Sequence, residues 1–133
     1  MQLPDHLTPD ECQAIEEAVK ILIEKFSAQV RFIALFGSKA RGDFESESDI
    51  DLLIIVESDN WKNHHQIRDP IFDVNLEHGL YISPRVIGWE RFQTLPRRRP
   101  GLFANLCRDG IELWRRPVTE NPLTIPEPAL PVA

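Results

Sequence analysis

Between residues 30 and 56 the chain carries two nearly continuous apolar runs, Val30–Phe36 and Ile50–Val56. The first stops at Gly37-Ser38, and carboxylates from Asp49 and Asp51 enter the start of the second. Runs of this length, rich in β-branched and aromatic residues, read as central strands covered on both faces. Two aspartates entering an aliphatic strand are costly near a core unless something cationic sits beside them. Gly37 ends its strand and Asp49 begins the next, so sharing one ligand requires both at the same edge of a sheet. Antiparallel pairing does this directly, whereas a parallel crossover would carry the chain to the opposite end. The expected fold is therefore α/β (α+β), a mixed β-sheet flanked by helices.

The rest of the chain supplies those helices. Thr8, Pro9 and Glu11 form a helix start with a cap, a first-position proline and a capping-box acid. Ile15, Val19, Leu22 and Phe26 recur at helical spacing up to about Ser27. Trp61 to His78 reads as a second helix stopped by Gly79, with Pro70 implying a kink or a fresh start capped by Asp69. Leu80 to Ile87 is an expected strand that Pro84 demotes to an edge or a bulged end. Gly101 to Asp109 reads as a short helix and Gly110 to Trp114 as a last strand. The expected organisation is one domain over residues 1–116 and a proline-rich, extended or disordered tail over 117–133.

Composition removes several classes of function. No stretch approaches the roughly 18 to 20 apolar residues that cross a bilayer, and the first residues lack the basic flank and apolar core of a signal peptide. Cys12 and Cys107 are too few for a disulfide framework and too far apart for a zinc knuckle, so a reduced, cytoplasmic protein is expected. A net charge of −6 argues against nucleic acid as the main partner, because phosphate neutralisation drives such binding. The only basic concentration is Arg97-Arg98-Arg99 with Arg108, Arg115 and Arg116, and solvation or acidic neighbours explain it more simply. His64-His65 point in different directions on a helix and read as surface residues. His78 suits a helix C-terminus.

The chemistry concentrates in Gly37-Ser38 and Asp49-Ile50-Asp51. A glycine at a strand end lets a ligand approach the backbone. Ser38 offers a hydroxyl and an amide, and a helix beginning there would favour phosphate. Asp49 and Asp51 share one strand face, roughly 6 to 7 Å apart, which suits one or two magnesium ions. Competing motifs fail on spacing. The acidic run Asp43–Asp49 has Ser48 where a calcium loop needs glycine and Ile54 where it needs glutamate. Gly42 is followed by Asp43, not by the Lys-Ser/Thr of a P-loop, and G-x-G-x-x-G is absent.

Gly37-Ser38, ten residues, then Asp49-Ile50-Asp51 resembles the G-S-x10-D-x-D signature of the DNA polymerase beta-like nucleotidyltransferase superfamily. The flanking residues look like its minimal branch, the MNT proteins, and the resemblance covers roughly Val30 to Trp114. It implies a Mg2+-dependent transfer of a nucleoside monophosphate, as AMP from ATP, with release of pyrophosphate. Gly37 and Ser38 would hold the triphosphate, Asp49 and Asp51 the metal. Arg41 matches the family's arginine, and either touches phosphate or pairs with Asp43 or Glu45. Many minimal members are antitoxins encoded beside a HEPN-domain toxin, and some adenylylate a tyrosine on it. The resemblance thus implies a HEPN partner, with homo- and hetero-oligomers both open. Antibiotic-modifying relatives generally carry a second domain, for which this chain has no room.

One departure stands out. Active members usually place a third carboxylate on the following strand, where it activates the attacking hydroxyl. Leu80–Ile87 contains no acid; Glu77 and Glu90 only flank it, and Tyr81 or Ser83 takes the matching face. The alternative to an enzyme is therefore a nucleotide-binding, partner-neutralising module of the same fold.

Overall fold

The computed structural model describes residues 1–42 and 49–124. Helix α1 spans Pro9–Phe26. Its start is the reciprocal bond the sequence announces: Glu11 N–H donates to Thr8 Oγ1 at 3.1 Å, and Thr8 N–H donates to Glu11 Oε1 at 2.9 Å. Ala14, Ile15, Ala18, Val19 and Leu22 form its buried face.

Strands β1 (Val30–Phe36), β2 (Ile50–Val56), β3 (Ile82–Gly88) and β4 (Ile111–Arg115) form one sheet in the order β3-β2-β1-β4. β1 pairs antiparallel with β2 and β4, while β2 pairs parallel with β3, so the sheet is mixed as expected. The one-turn helix α2 (Ser38–Arg41) follows β1 directly.

The parallel pairing requires a crossover, and helix α3 (Trp61–His78) supplies it. It runs unbroken through Pro70, so no fresh start occurs at Asp69. Gly79 ends it at φ 65°, a left-handed conformation glycine adopts without strain, and donates to Asn75 O. β3 starts two residues later than the sequence suggested. Asn75, buried on α3, accepts from Ile82 N–H at 2.7 Å and donates to Ile82 O at 3.0 Å. This side chain occupies the N–H and C=O of Ile82 at the start of β3, groups that would otherwise be open to a further strand. Pro84 lies on that edge strand, in register with Leu52.

The sheet separates two apolar clusters. Ile33, Leu35, Ile50, Leu52 and Ile54 pack under α1 and α3. Phe32, Ala34, Leu53 and Ile55 face Phe92, Leu95, Leu106 and Leu123. The second layer comes from α4 (Trp89–Phe92), α5 (Leu95–Arg98) and α6 (Pro100–Asp109). The two single-turn helices α4 and α5 were not expected, because one turn is too short to show a 3.6-residue repeat. Leu123 corrects the expectation that little after Pro117 packs: it is buried in this layer. Residues 125–133 lie outside the described residues.

Candidate active site

The end of β1 and the start of β2 meet at one edge of the sheet, where Phe36 pairs with Asp51. Beyond it the backbone turns at Gly37 with φ 75° and ψ −160°, a region essentially reserved for glycine. A Cβ built on Gly37 would collide with the Asp51 carboxylate. Backbone and acid therefore approach more closely than any other residue type would allow.

Ser38 opens α2, half-buried, and its carbonyl accepts from Gly42 N–H at 2.8 Å. The carbonyl of Gly37 accepts from the N–H groups of Ala40 and Arg41, both at 3.1 Å. A single turn has little cumulative dipole, so the α2 amides rather than a helix dipole are what this loop can offer an anion.

Lys39 is buried and meets Glu11 at 2.7 Å. Burial pushes the Glu11 carboxyl up, but hydrogen bonds from Lys39 and at Thr8 outweigh it, leaving its pKa below the usual value. The pair ties α2 to α1, and the His6 ring contacts the Lys39 carbonyl. The sequence showed Glu11 as a capping acid only; its second partner lies 28 positions along the chain and has no local signature.

Asp49 is exposed just before β2, and Asp51 is half-buried within it. Burial raises the pKa of Asp51. The Arg85 charge opposes the rise, Asp49 adds to it and Arg41 opposes it. Among the described residues Asp51 has no ion pair. A carboxylate disfavoured by burial and by a neighbouring acid is stabilised by a bound cation, so the pair suits a divalent metal through hard oxygen donors.

Across the parallel pairing, Asp51 stands in register with Ser83. Of the two residues expected on the matching face, Ser83 is the one beside Asp51. Tyr81 precedes the strand and is 55% exposed. Arg85, two residues on, lies on the Asp51 face beside Leu53. A cation thus stands near the position where a third carboxylate was sought, which sequence alone did not reveal.

Arg41 Nη1 lies 3.5 Å from Asp109 Oδ2, and Arg108 holds both oxygens of the same carboxylate at 2.9 Å. The alternatives expected for Arg41, Asp43 and Glu45, lie outside the described residues. Much of the basic concentration is structural. Arg116 donates to the carbonyls of Ser27, Ala28 and Val30 and pairs with Glu57; Arg115 pairs with Glu112 at 3.2 Å. Arg98 and Arg99 differ: they line a cleft of about 520 Å3 on the Asp51 side of the sheet.

Unlike His6, the other three histidines stay away from this edge. His64 lies 2.7 Å from Asp59, and His65 stands edge-on to Trp61. His78 sits between Asp10 at 3.2 Å and Glu17 at 2.7 Å, on the α1 and α3 side of the sheet. Among the described residues no helix is long and apolar enough to cross a membrane.

Comparison with known proteins agrees with this geometry. A relative from Methanocaldococcus jannaschii, provisionally named a protein adenylyltransferase, is 48% identical over 83 residues, covering 62% of this chain and 79% of its own length. Another from the same organism with the same kind of name is 32% identical over 76 residues, covering 55% and 52%. A crystal structure from Sulfolobus solfataricus, provisionally described as a nucleotidyltransferase, superposes with TM-score 0.53 at 20% identity, covering 78% of this chain and 79% of that one. It shares the fold. The nucleotidyltransferase domain family matches residues 15–98, from the middle of α1 to the end of α5 and across the whole Gly37–Asp51 edge, and the chain belongs to that family.

Proposed function

We propose that this protein transfers a nucleoside monophosphate, AMP from ATP, to an acceptor on a partner protein, with Mg2+ held by Asp49 and Asp51. The observation that carries the reading is the contact-distance approach of the Gly37 backbone to the Asp51 carboxylate. It leaves a strand-end loop and a metal-binding acid open to the same ligand. Gly37 and Ser38 hold the triphosphate in this reading, and Arg41 adds charge toward it. The family match supports the reaction class, and the relatives named as protein adenylyltransferases support a protein acceptor. The motif's resemblance to minimal antitoxins supports a HEPN-domain toxin as the partner in this reading, met in the cytoplasm.

Positioning and charge supply most of the catalysis in phosphoryl transfer. When bound, magnesium supplies positive charge at the phosphates. The chain's part is to hold the α-phosphorus in line between the acceptor oxygen and the departing pyrophosphate. Asp49 and Asp51 fix the metal-facing side of that arrangement, and the Gly37-Ser38 amides fix the other. The acceptor oxygen forms its bond to the α-phosphorus as the bond to pyrophosphate breaks. β3 has no carboxylate to receive the acceptor proton, so in this reading the proton passes to solvent water.

The absence of that carboxylate favours a second reading, a nucleotide-binding module that neutralises its partner by contact. Incubation with Mg2+, α-labelled ATP and a co-purified partner separates the two. Label on the partner, lost in Asp49→Asn/Asp51→Asn, supports transfer. Tight partner binding without label, unchanged by those substitutions, supports the module.

A further inference from the structure

The cleft on the Asp51 side of the sheet has a floor from Leu53, Leu95 and Leu106 and a rim carrying Arg85, Arg91, Arg98 and Arg99. Among the described residues no acidic side chain lines it, although the chain as a whole carries a net charge of −6. Its arginines are sparsely engaged. Arg91 lies 3.8 Å from Asp59, and Arg98 donates to Thr94 Oγ1 at 3.4 Å. The side chains of Arg85 and Arg99 make no hydrogen bond or ion pair among the described residues. Elsewhere the same residue type is consumed internally, as with Arg116 and its three carbonyls. Four guanidinium groups of which only Arg91 has a carboxylate within ion-pair distance among the described residues repel one another and are stabilised by an anionic ligand.

Arg85 joins this rim to the reaction centre: on β3 it lies two residues beyond Ser83, which stands in register with Asp51, and its charge also acts on Asp51. Phe36, which pairs with Asp51 across β1 and β2, also lines the cleft, so the cleft reaches the strand end that carries Asp51. The floor is chiefly aliphatic, and Phe36, the one aromatic residue of the lining among the described residues, lies in β1 and is partly buried. Stacking platforms for bases are aromatic and open, whereas an aliphatic floor with a guanidinium rim suits a peptide alternating acidic and apolar side chains.

We propose that this cleft is the acceptor subsite and that it selects an acidic peptide segment, whose Asp or Glu side chains meet Arg85, Arg91, Arg98 and Arg99 beside the acceptor group. The inference rests on the transfer reading above, and names the chemistry of its acceptor.

The test uses the full chain and three fluorescent peptides of equal length with a central tyrosine, flanked by glutamate, glutamine or lysine. Anisotropy measures binding without any need for catalysis. The glutamate peptide should bind at least about tenfold more tightly than the glutamine peptide, with the gap shrinking in high salt. Arg98→Gln/Arg99→Gln should remove most of that gap while leaving ATP binding within about twofold. Arg91→Gln, on a different short helix, gives the same direction if a local folding defect clouds the double variant. Equal binding of glutamate and glutamine peptides overturns the proposal. So does a loss of ATP affinity matching the loss of peptide affinity, which would make the cleft a nucleotide site. Displacement of the glutamate peptide by a single-stranded RNA of equal charge at lower concentration overturns it in favour of nucleic acid. Absence of label transfer to every acceptor, with selective glutamate-peptide binding intact, counts against the transfer reading and not against the cleft.

Discussion

The Asp51 carboxylate occupies the space that a Cβ on Gly37 would need. This relationship makes glycine at position 37 a requirement of the site as well as of the local backbone. Gly37→Ala must both leave a glycine-only region of backbone space and displace Asp51. The expected cost is about 1–3 kcal/mol of stability, measured by chemical denaturation. Label transfer should fall by about a hundredfold or more, since small misplacements of reacting groups have such effects. A variant with wild-type transfer would show that the close approach is incidental.

Lys39 invites a catalytic reading from its place beside Ser38, yet it is spent on Glu11 at 2.7 Å inside the protein. Lys39→Met removes the charge partner of a buried acid and should cost about 3–5 kcal/mol. Adding Glu11→Leu should recover part of that loss, in a double-mutant cycle read by urea unfolding. Because the Glu11 pKa is lowered in the fold, its contribution is present above its ordinary value of 4.5. It disappears as pH falls through the lower folded value. The wild type should therefore lose stability relative to the double variant as pH drops below about 4.5.

His78 behaves with the opposite sign. Hydrogen bonds to Glu17 and Asp10 raise its pKa above 6.5. Its stabilising effect is complete below the unfolded value and is lost as pH rises through the raised folded value. The Tm gap between wild type and His78→Gln should be larger near about pH 5.5 than near about pH 8.5. A gap independent of pH would mean that the ring packs without carrying charge.

Ser83 stands in register beside Asp51, where a carboxylate could receive the acceptor proton. Ser83→Asp should raise the rate of label transfer by about ten- to a hundredfold if proton removal limits it. Its pH profile should then acquire an acidic limb. An unchanged rate would place the slow step elsewhere.

Most of the fold was legible because its signals are local. The Thr8–Glu11 box, the Gly79 stop and the apolar runs of β1 and β2 each announce themselves within a few residues. Antiparallel pairing of β1 with β2 followed from the need to bring Gly37 and Asp49 to one edge. What was not legible depends on contacts distant in sequence. Asn75 shortens β3 from across the α3–β3 turn, Glu11 reaches Lys39 in α2, and Leu123 returns to pack near Gly110. Arg85 was invisible as a neighbour of Asp51 until the register of β3 was known. Of the arginine rim, Arg98 and Arg99 showed in the sequence as part of Arg97-Arg98-Arg99, whereas Arg85 and Arg91 were hidden because they join it from an edge strand and a one-turn helix.

The most direct test of the central claim is transfer of label from α-labelled ATP to a co-purified partner in the presence of Mg2+. Wild type should label the partner. Asp49→Asn and Asp51→Asn should each reduce labelling by about a hundredfold or more while the fold, read by Tm, persists. Equal labelling by wild type and both variants would contradict a reaction centre built on Gly37, Asp49 and Asp51.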